Sequence, residues 1–337
     1  MRVKVPSPRS GGLILSYRCS CECLHCMYAC SPRWKDDWIS REDMESILSG
    51  LAGRIVPSPY GPDTVSLNHG LHFTGGEPFL NFELLVACAQ TAASYGIPSS
   101  FVETNCAWCV SERVTRGKLR LLKEKGIKGI LISVNPFYLE WVPFSRTKRA
   151  VEIGYEIFGR NMLVYQLEYF RLFSSMGIKG TLRYSEFVKR GIEGSIGEVE
   201  FFFMGRAAYR LGGDARRYRA QELFTQGCVG GFLRTWHNHF DNYGNFIPGY
   251  CGGITLGDCR NLSGLIEEGI DTDERPVIGY LAQGDMEGLF QFAQDFGYRE
   301  LPGGYLSLCH LCTEIRRHLL GKRPFLELGP QGFYDHL

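Results

Sequence analysis

Apolar positions in this chain fall into short runs of strand length, separated by stretches in which apolar residues recur at helical spacing. Residues 11–17 (GGLILSY) form the first run. Ser40 then has the position of an N-cap, with Met44, Ile47, Leu48 and Leu51 on one helical face behind it. Residues 64–74 read as a second strand, followed by a helix from about Asn81 that carries Phe82, Leu85, Val86 and Ala89. The pattern repeats. A strand spans 99–104 and a helix runs from Ser111 to Gly126; a strand spans 127–134 and a helix runs from Ser145 to near Gly159. A strand at 162–165 and a helix reaching Met176 follow, then a strand-like stretch at 180–184 and an apolar run at 198–204. Strands alternating with helices of 10–15 residues predict βα units around a parallel sheet. About six units fit before residue 205, too few for a full eight-stranded barrel of ordinary size. The predicted fold class is α/β, a partial (β/α)6 TIM-like barrel followed by a small cysteine-rich β-hairpin/helix domain.

The pattern breaks after residue 205. Residues 211–222 are polar, and from Cys228 the chain is rich in glycine and aromatics, with a turn signal at Asn242-Tyr243-Gly244-Asn245 between two short strand-like runs. The predicted organisation is an N-terminal arm (1–10), a barrel (11–210), a connector (211–222), a hairpin-containing cysteine domain (223–325) and a tail (326–337). The hairpin reads as a module of its own, not as another βα unit. Its poverty in continuous apolar segments suits a metal staple.

Bulk properties narrow the functional classes. The length, 337 residues, favours about two domains at roughly 150 residues each. A net charge of +1 lends no support to a nucleic-acid or acidic-membrane partner. No apolar run has transmembrane length, and the N-terminus lacks the apolar stretch of a secretory signal. A cytoplasmic location is expected, where thiols stay reduced. Thirteen cysteines, an odd number clustered at ligand spacings, then point to metal or Fe–S ligation in preference to disulfides.

Chemistry-bearing residues converge on the carboxyl ends of the predicted strands, where α/β sheets place functional groups. These are Cys19, the Gly75-Gly76-Glu77-Pro78 turn, Glu103-Thr104-Asn105, Ser133-Val134-Asn135 and Gly205-Arg206. Cys19, Cys23 and Cys26 have Cys-x3-Cys-x2-Cys spacing. Three thiolates on one loop can hold three irons of a [4Fe–4S] cluster and leave the fourth open. With Cys21, His25 or Cys30 as a fourth ligand the same loop could hold zinc. Glu77 also suits an ordinary helix N-terminus.

The cysteine triple followed by Gly75-Gly76-Glu77-Pro78 resembles the radical S-adenosylmethionine (SAM) superfamily. The resemblance implies a [4Fe–4S] cluster on Cys19, Cys23 and Cys26, with SAM chelating the open iron. Reductive cleavage of SAM would release a 5′-deoxyadenosyl radical that abstracts a substrate hydrogen atom. It also implies SAM contacts at Gly75, Gly76, Glu77, Pro78, Glu103, Asn105, Ser133 and Asn135, and at Arg183 for the SAM carboxylate. His25 stands where that family usually has an aromatic residue, which would put a titratable ring near the cofactor.

Cys228, Cys251, Cys309 and Cys312, with the hairpin between the first two, resemble the SPASM and twitch auxiliary-cluster modules. That resemblance implies a second [4Fe–4S] cluster with all irons ligated, serving electron transfer or structure, with Cys259 as the alternate to Cys251. A zinc staple on the same residues is the other reading. Expected partners are SAM, a reductant such as flavodoxin or ferredoxin, and a substrate. Oxidation or bond formation on a peptide or protein leads among substrate classes. A barrel starting near residue 11 leaves no N-terminal leader-binding domain of the kind many peptide-modifying members carry, so a small molecule, sugar or lipid is the alternative. No cobalamin-binding domain precedes the barrel. A non-catalytic Fe–S or zinc protein is the reading of another class.

Several other residues have ordinary explanations. Cys106 and Cys109 read as packing cysteines, Cys88 as a buried helix residue and 201–203 as core. His69 and His72 read as core histidines near the barrel mouth, and His237 and His239 as hairpin residues able to assist the second cluster.

Overall fold

Strand β2 (Gly11–Ile14) is the hub of the sheet. A computed structural model describes residues 1–191, 202–213, 215–228 and 231–337. Beyond β2 lie β3 (Leu71–Thr74), β4 (Phe101–Thr104), β5 (Gly129–Ser133) and β6 (Met162–Tyr165), each parallel to its neighbour. The helices between them are α1 (Arg41–Leu51), α2 (Phe82–Ser94), α3 (Glu112–Glu124), the short α4 (Pro136–Leu139) and α5 (Phe144–Phe158), and α6 (Leu167–Ser175) follows β6. Ser40 and Ser111 cap α1 and α3 by accepting from the backbone N–H of Asp43 and Val114. The fifth helix starts at Phe144 behind Pro143, without a side-chain cap, so Ser145 lies inside it.

Alternation along the strands divides the side chains between two environments. Leu13, Phe73, Val102, Ile130 and Ile132 pack with Ile47, Leu48, Leu85, Leu119 and Ile153 in the core under the helices. Gly12, Ile14, His72, Thr74 and Glu103 alternate with them and share the other face, where the functional groups gather.

The other side of β2 departs from expectation. Strand β7 (Asn238–Asp241), the first strand of the predicted hairpin, pairs with β2 in parallel, from Gly11↔Asn238 to Ile14↔Asp241. Strand β8 (Phe246–Ile247) then adds antiparallel to β7, completing the order β6-β5-β4-β3-β2-β7-β8. The hairpin is therefore part of the main sheet. Burial explains the placement: all four β7 residues are buried, and without β7 that edge of β2 would leave backbone groups unpaired.

Other boundaries also moved. The run 64–74 is strand only from Leu71, because Gly70 takes a left-handed turn (φ +71°) that ends the preceding loop. Residues 180–184 form no strand; Tyr184 opens a short helix, Tyr184–Lys189. Most of the apolar run at 198–204 lies outside the described residues, and residues 202–204 carry no regular structure. The arm and the tail are both structured. Strand β1 (Arg2–Val3) pairs with β9 (Ile270–Asp271), and the helix Gln331–Asp335 buries Phe333 and Tyr334 among the aromatic residues around the first cysteine loop.

Candidate active site at the carboxyl ends of the strands

The loop after β2 folds back on itself and brings five thiols into one neighbourhood. The Cys21 amide N–H donates to Cys19 Sγ at 3.4 Å, and the Cys30 amide N–H to Cys26 Sγ at 3.3 Å. Asn105 Nδ2 reaches Cys19 Sγ at 3.6 Å and Cys21 Sγ at 3.4 Å. N–H donors of this kind favour sulfur in its thiolate form. A hydrogen bond from the Cys30 thiol and then the Arg206 guanidinium hold Cys26 below the ordinary thiol range, whereas burial raises Cys23.

Arg206 sets the shape of this loop. It is 2% exposed and donates to four backbone carbonyls: Cys23 (2.9 Å), Ala29 (2.7 Å), Cys30 (2.9 Å) and His336 (2.9 Å). Its own amide N–H donates to Cys26 O at 3.0 Å. A planar fork of donors can satisfy several carbonyls at once, which a lysine cannot. Gly205 lets the chain come this close, since a Cβ there would sit 2.4 Å from Met27 O.

The Gly75-Gly76-Glu77-Pro78 turn closes the loop from the other side. A Cβ on Gly76 would lie 1.9 Å from Arg18 O and 2.8 Å from Cys19 N, and one on Gly75 would lie 2.4 Å from Ser16 O. The glycines are thus required by contact with the cysteine loop itself. Glu77, 1% exposed, accepts from the Thr104 hydroxyl at 3.0 Å, the Asn105 amide at 2.9 Å and the Phe79 amide at 3.2 Å. Burial raises its pKa to about 7 against these donors. Pro78 is buried at the start of a 3₁₀ turn. Glu77 and Asn105 therefore form a continuous hydrogen-bonded path from the end of β3 through the end of β4 to the Cys19 sulfur.

Beside the loop opens a cavity of about 520 Å³. Glu103, Ser133, Asn135 and His25 line it, with Tyr28, Gln166, Arg234, Trp236, His237 and His239. Asn135 is fully engaged: its Oδ1 accepts from the Phe137 and Tyr138 amides, and its Nδ2 donates to His25 Nε2 (3.1 Å) and Gln166 Oε1 (3.0 Å). His25 stacks on Phe137 at 4.7 Å, and burial, with Arg206 adding, lowers its pKa to about 3. The ring expected to titrate near the cofactor is therefore neutral at ordinary pH. With Nε2 accepting, Nδ1 carries the proton, and it is buried without a partner.

Arg183 does not join the site. With no strand at 180–184, it stands exposed at the start of the helix Tyr184–Lys189 and does not line the cavity. The cation on the cavity wall is Arg234, 6% exposed, stacked over Trp236 (4.0 Å) and Tyr250 (4.3 Å). Its Nε has no partner.

A second, much smaller recess, of about 80 Å³, is lined by Cys228, Cys251, Cys309 and Cys312. Cys309 and Cys312 come from the helix Leu308–Leu320, capped by Ser307. Cys228 is lowered, chiefly by its hydrogen bond with Cys251, whereas Cys251, Cys309 and Cys312 stay raised; Arg316, one turn further along that helix and 4% exposed, works against that rise at each. Burial acts the other way and pushes Cys309 up to about 12. A buried cation beside four thiols suits a thiolate-bound cluster or zinc ion. Cys259 does not line this recess; it is fully buried near Asp241 and Asp258, with its amide on Gly244 O at 2.8 Å.

The remaining cysteines stay in the core. Cys106 and Cys109 are fully buried with Cys88, and Cys106 has a left-handed backbone (φ +66°). His237 and His239 lie on the cavity and not on the cysteine recess. The sequence marked Gly205-Arg206 as a strand-end segment without a specific role for the arginine, and gave Arg234 and Arg316 none. A basic residue one turn after the Cys309-x2-Cys312 pair was the available signal for Arg316.

No family model and no curated protein matches the chain. Fourteen chains of solved structures do. One is BtrN in complex with AdoMet and 2-DOIA, at 12% identity over 82% of this chain and 88% of that one, TM-score 0.43. Another is anSMEcpe with bound AdoMet, at 14% identity over 93% and 97%, TM-score 0.44. The same protein with AdoMet and the Cp18Cys peptide aligns at 12% identity over 93% and 97%, TM-score 0.44. These likenesses are loose. No described helix is long and apolar enough to cross a membrane.

Proposed function

We propose that this chain is a radical SAM enzyme built on a partial barrel, with an auxiliary [4Fe–4S] cluster in its C-terminal half. One observation carries the reading. The Cys19-Cys23-Cys26 loop is clamped by Arg206 on one side and by Gly76, Glu77 and Asn105 on the other, at the mouth of a cavity large enough for a ligand. Cys19, Cys23 and Cys26 would hold the SAM cluster, and Cys228, Cys251, Cys309 and Cys312 the auxiliary one. Held by these residues, a cluster with SAM would supply one-electron reductive cleavage of a carbon–sulfur bond and hydrogen-atom abstraction from a substrate.

The protein's own residues position and insulate. The backbone of Gly75, Gly76, Glu77 and Pro78, held against Arg18 and Cys19, would receive the SAM amino group. Asn105 Nδ2, which donates to Cys19 Sγ, would hold that ligand in orientation for the cluster. His25, locked by Asn135 and Phe137, would present its ring to the cavity, and Glu103 and Ser133 contribute polar edges to it. Arg234 takes an anionic group in place of Arg183. An external one-electron donor is required.

Side-chain oxidation or bond formation on a peptide or protein is the leading substrate reading, resting on the auxiliary-module resemblance. The cavity volume supports a second, chemistry on a small molecule, since about 300–1,000 Å³ is the usual range of small-molecule sites. The test is anaerobic rebuilding with iron and sulfide, reduction, and assay for 5′-deoxyadenosine. About eight irons per chain are expected, four in each cluster. Replacing Cys19, Cys23 and Cys26 with Ala should leave about four irons and abolish SAM cleavage. Undiminished cleavage in that variant overturns the assignment. One tightly held zinc with about four irons rebuilt replaces the auxiliary cluster with a zinc staple.

A further inference from the structure

The face of the sheet that carries the cavity contains a second constellation that no iron–sulfur chemistry uses. In the parallel register, Gly12 of β2 is flanked by His72 of β3 on one side and by His239 of β7 on the other. Gly12 has no side chain, so the two imidazoles meet above it; a Cβ there would lie 2.3 Å from His72 Nε2 and 2.7 Å from His239 Cδ2. Their Nε2 atoms are 3.3 Å apart. His237, just before β7, turns back through a left-handed backbone (φ +52°) to join them. One ring nitrogen from each of the three residues lies within 4.8 Å of the other two.

Two of the rings are oriented by contacts on their far nitrogens. His239 Nδ1 lies 2.9 Å from both Gly249 O and the Tyr28 hydroxyl; with Nδ1 donating to the carbonyl, Nε2 is the lone-pair nitrogen and faces His72 Nε2. His237 Nδ1 pairs with Asn68 Oδ1 at 3.2 Å, which likewise leaves the lone pair on its Nε2. This far-nitrogen arrangement is how metal-ligating histidines are held. Two imidazoles on a tetrahedral ion at roughly 2.05 Å would have their nitrogens about 3.3 Å apart. A carboxylate stands by to offset positive charge: Glu103 Oε1 is 3.6 Å from His72 Nε2, while its Oε2 accepts from Thr74.

We infer that His72, His237 and His239 form a three-histidine site for a divalent transition-metal ion, with Glu103 as the neighbouring counter-charge. Imidazole donors suit zinc, iron, copper and nickel, and three protein ligands leave a fourth position for water or an oxygen or nitrogen donor of the substrate. His237, His239 and Glu103 all line the cavity, so the ion faces the space in which substrate would bind. The site stands whether or not the chain performs SAM chemistry.

The test uses the full chain with its iron–sulfur sites rebuilt under anaerobic conditions, so that the cysteines are occupied, followed by dialysis against Zn(II). One zinc per chain is expected in addition to the iron, with nitrogen and oxygen scattering at the zinc absorption edge. His72→Gln and His237→Gln should each weaken zinc retention at least tenfold while leaving the iron count unchanged. His237 lies outside the strands, so that variant decides the matter if His72→Gln fails to fold. Absence of bound zinc, sulfur scattering at the zinc edge, or full zinc retention in the His237→Gln protein overturns the site. SAM cleavage is scored separately, so a failure of the proposed reaction does not register in this measurement.

Discussion

The two groups of cysteines are built in opposite ways. The first is local: Cys19, Cys23 and Cys26 lie within eight residues, and the structure's task is to shape one loop. Arg206 does this through backbone carbonyls at four separate points. The second is assembled from three distant segments, at 228, 251 and 309–312, and the helix Leu308–Leu320 supplies the only regular scaffold among its ligands. Its buried arginine, Arg316, bonds Gly252 O at 2.8 Å and Thr313 Oγ1 at 3.1 Å, and partly offsets the burial that raises Cys309 and Cys312. A loop of fixed composition needs its shape imposed. Thiols gathered from afar need their mutual repulsion offset.

The largest expected effect breaks the first region alone. Arg206→Met leaves several buried carbonyls without donors, at about 1–3 kcal/mol each. It should abolish first-cluster loading and SAM cleavage, measured as a fall to about four irons. Arg206→Lys should not rescue it, because one ammonium cannot span the four carbonyls. Gly76→Ala comes next: its Cβ meets backbone, which cannot move aside as a side chain could, and about 1–3 kcal/mol of stability should be lost. Thermal unfolding of the rebuilt protein measures it.

Arg316→Gln sharpens the contrast. It should slow loading of the second site near neutral pH, and raising the pH should restore much of the rate by ionising the thiols directly. Iron uptake followed against pH reads this out; no such rescue is expected for Arg206→Met. Glu77 gives a smaller effect of defined sign. Its pKa is raised from 4.5 to about 7 in the folded state, so the protonated form contributes stability that is complete below about pH 4.5 and is lost as pH rises toward about 7. Glu77→Gln should flatten the stability profile across that window in urea unfolding. The smallest expected change is in Phe137→Leu. Loosening His25 by removing the ring it stacks on at 4.7 Å, at about 0.5–1.5 kcal/mol, should raise the SAM concentration for half-maximal cleavage by up to about tenfold.

Much of this was legible in the chain. Helical spacing located α1 through Met44, Ile47, Leu48 and Leu51, and serines at 40 and 111 marked helix starts that the backbone uses. The cysteine spacing and the Gly75-Gly76-Glu77-Pro78 turn marked one neighbourhood. What they do to each other was not legible. The glycines appeared suited to a ligand, yet their immediate need is the backbone of Arg18 and Ser16. Arg183 matched by charge and was misplaced, because its strand does not form. The hairpin, whose turn was plain in Asn242-Tyr243-Gly244-Asn245, gave no sign that it would lie beside residue 11.

By itself the sequence determined which residues could ligate metal and which segments could be strands or helices, since spacing and periodicity are local properties of the chain. Only the tertiary structure decided which of those residues meet. Strand pairing joins segments more than 200 residues apart, and no local signal encodes a register such as Gly12 between His72 and His239. The buried arginines belong to the same class: a guanidinium costs free energy to bury, and only the folded chain shows the carbonyls and thiols that compensate it.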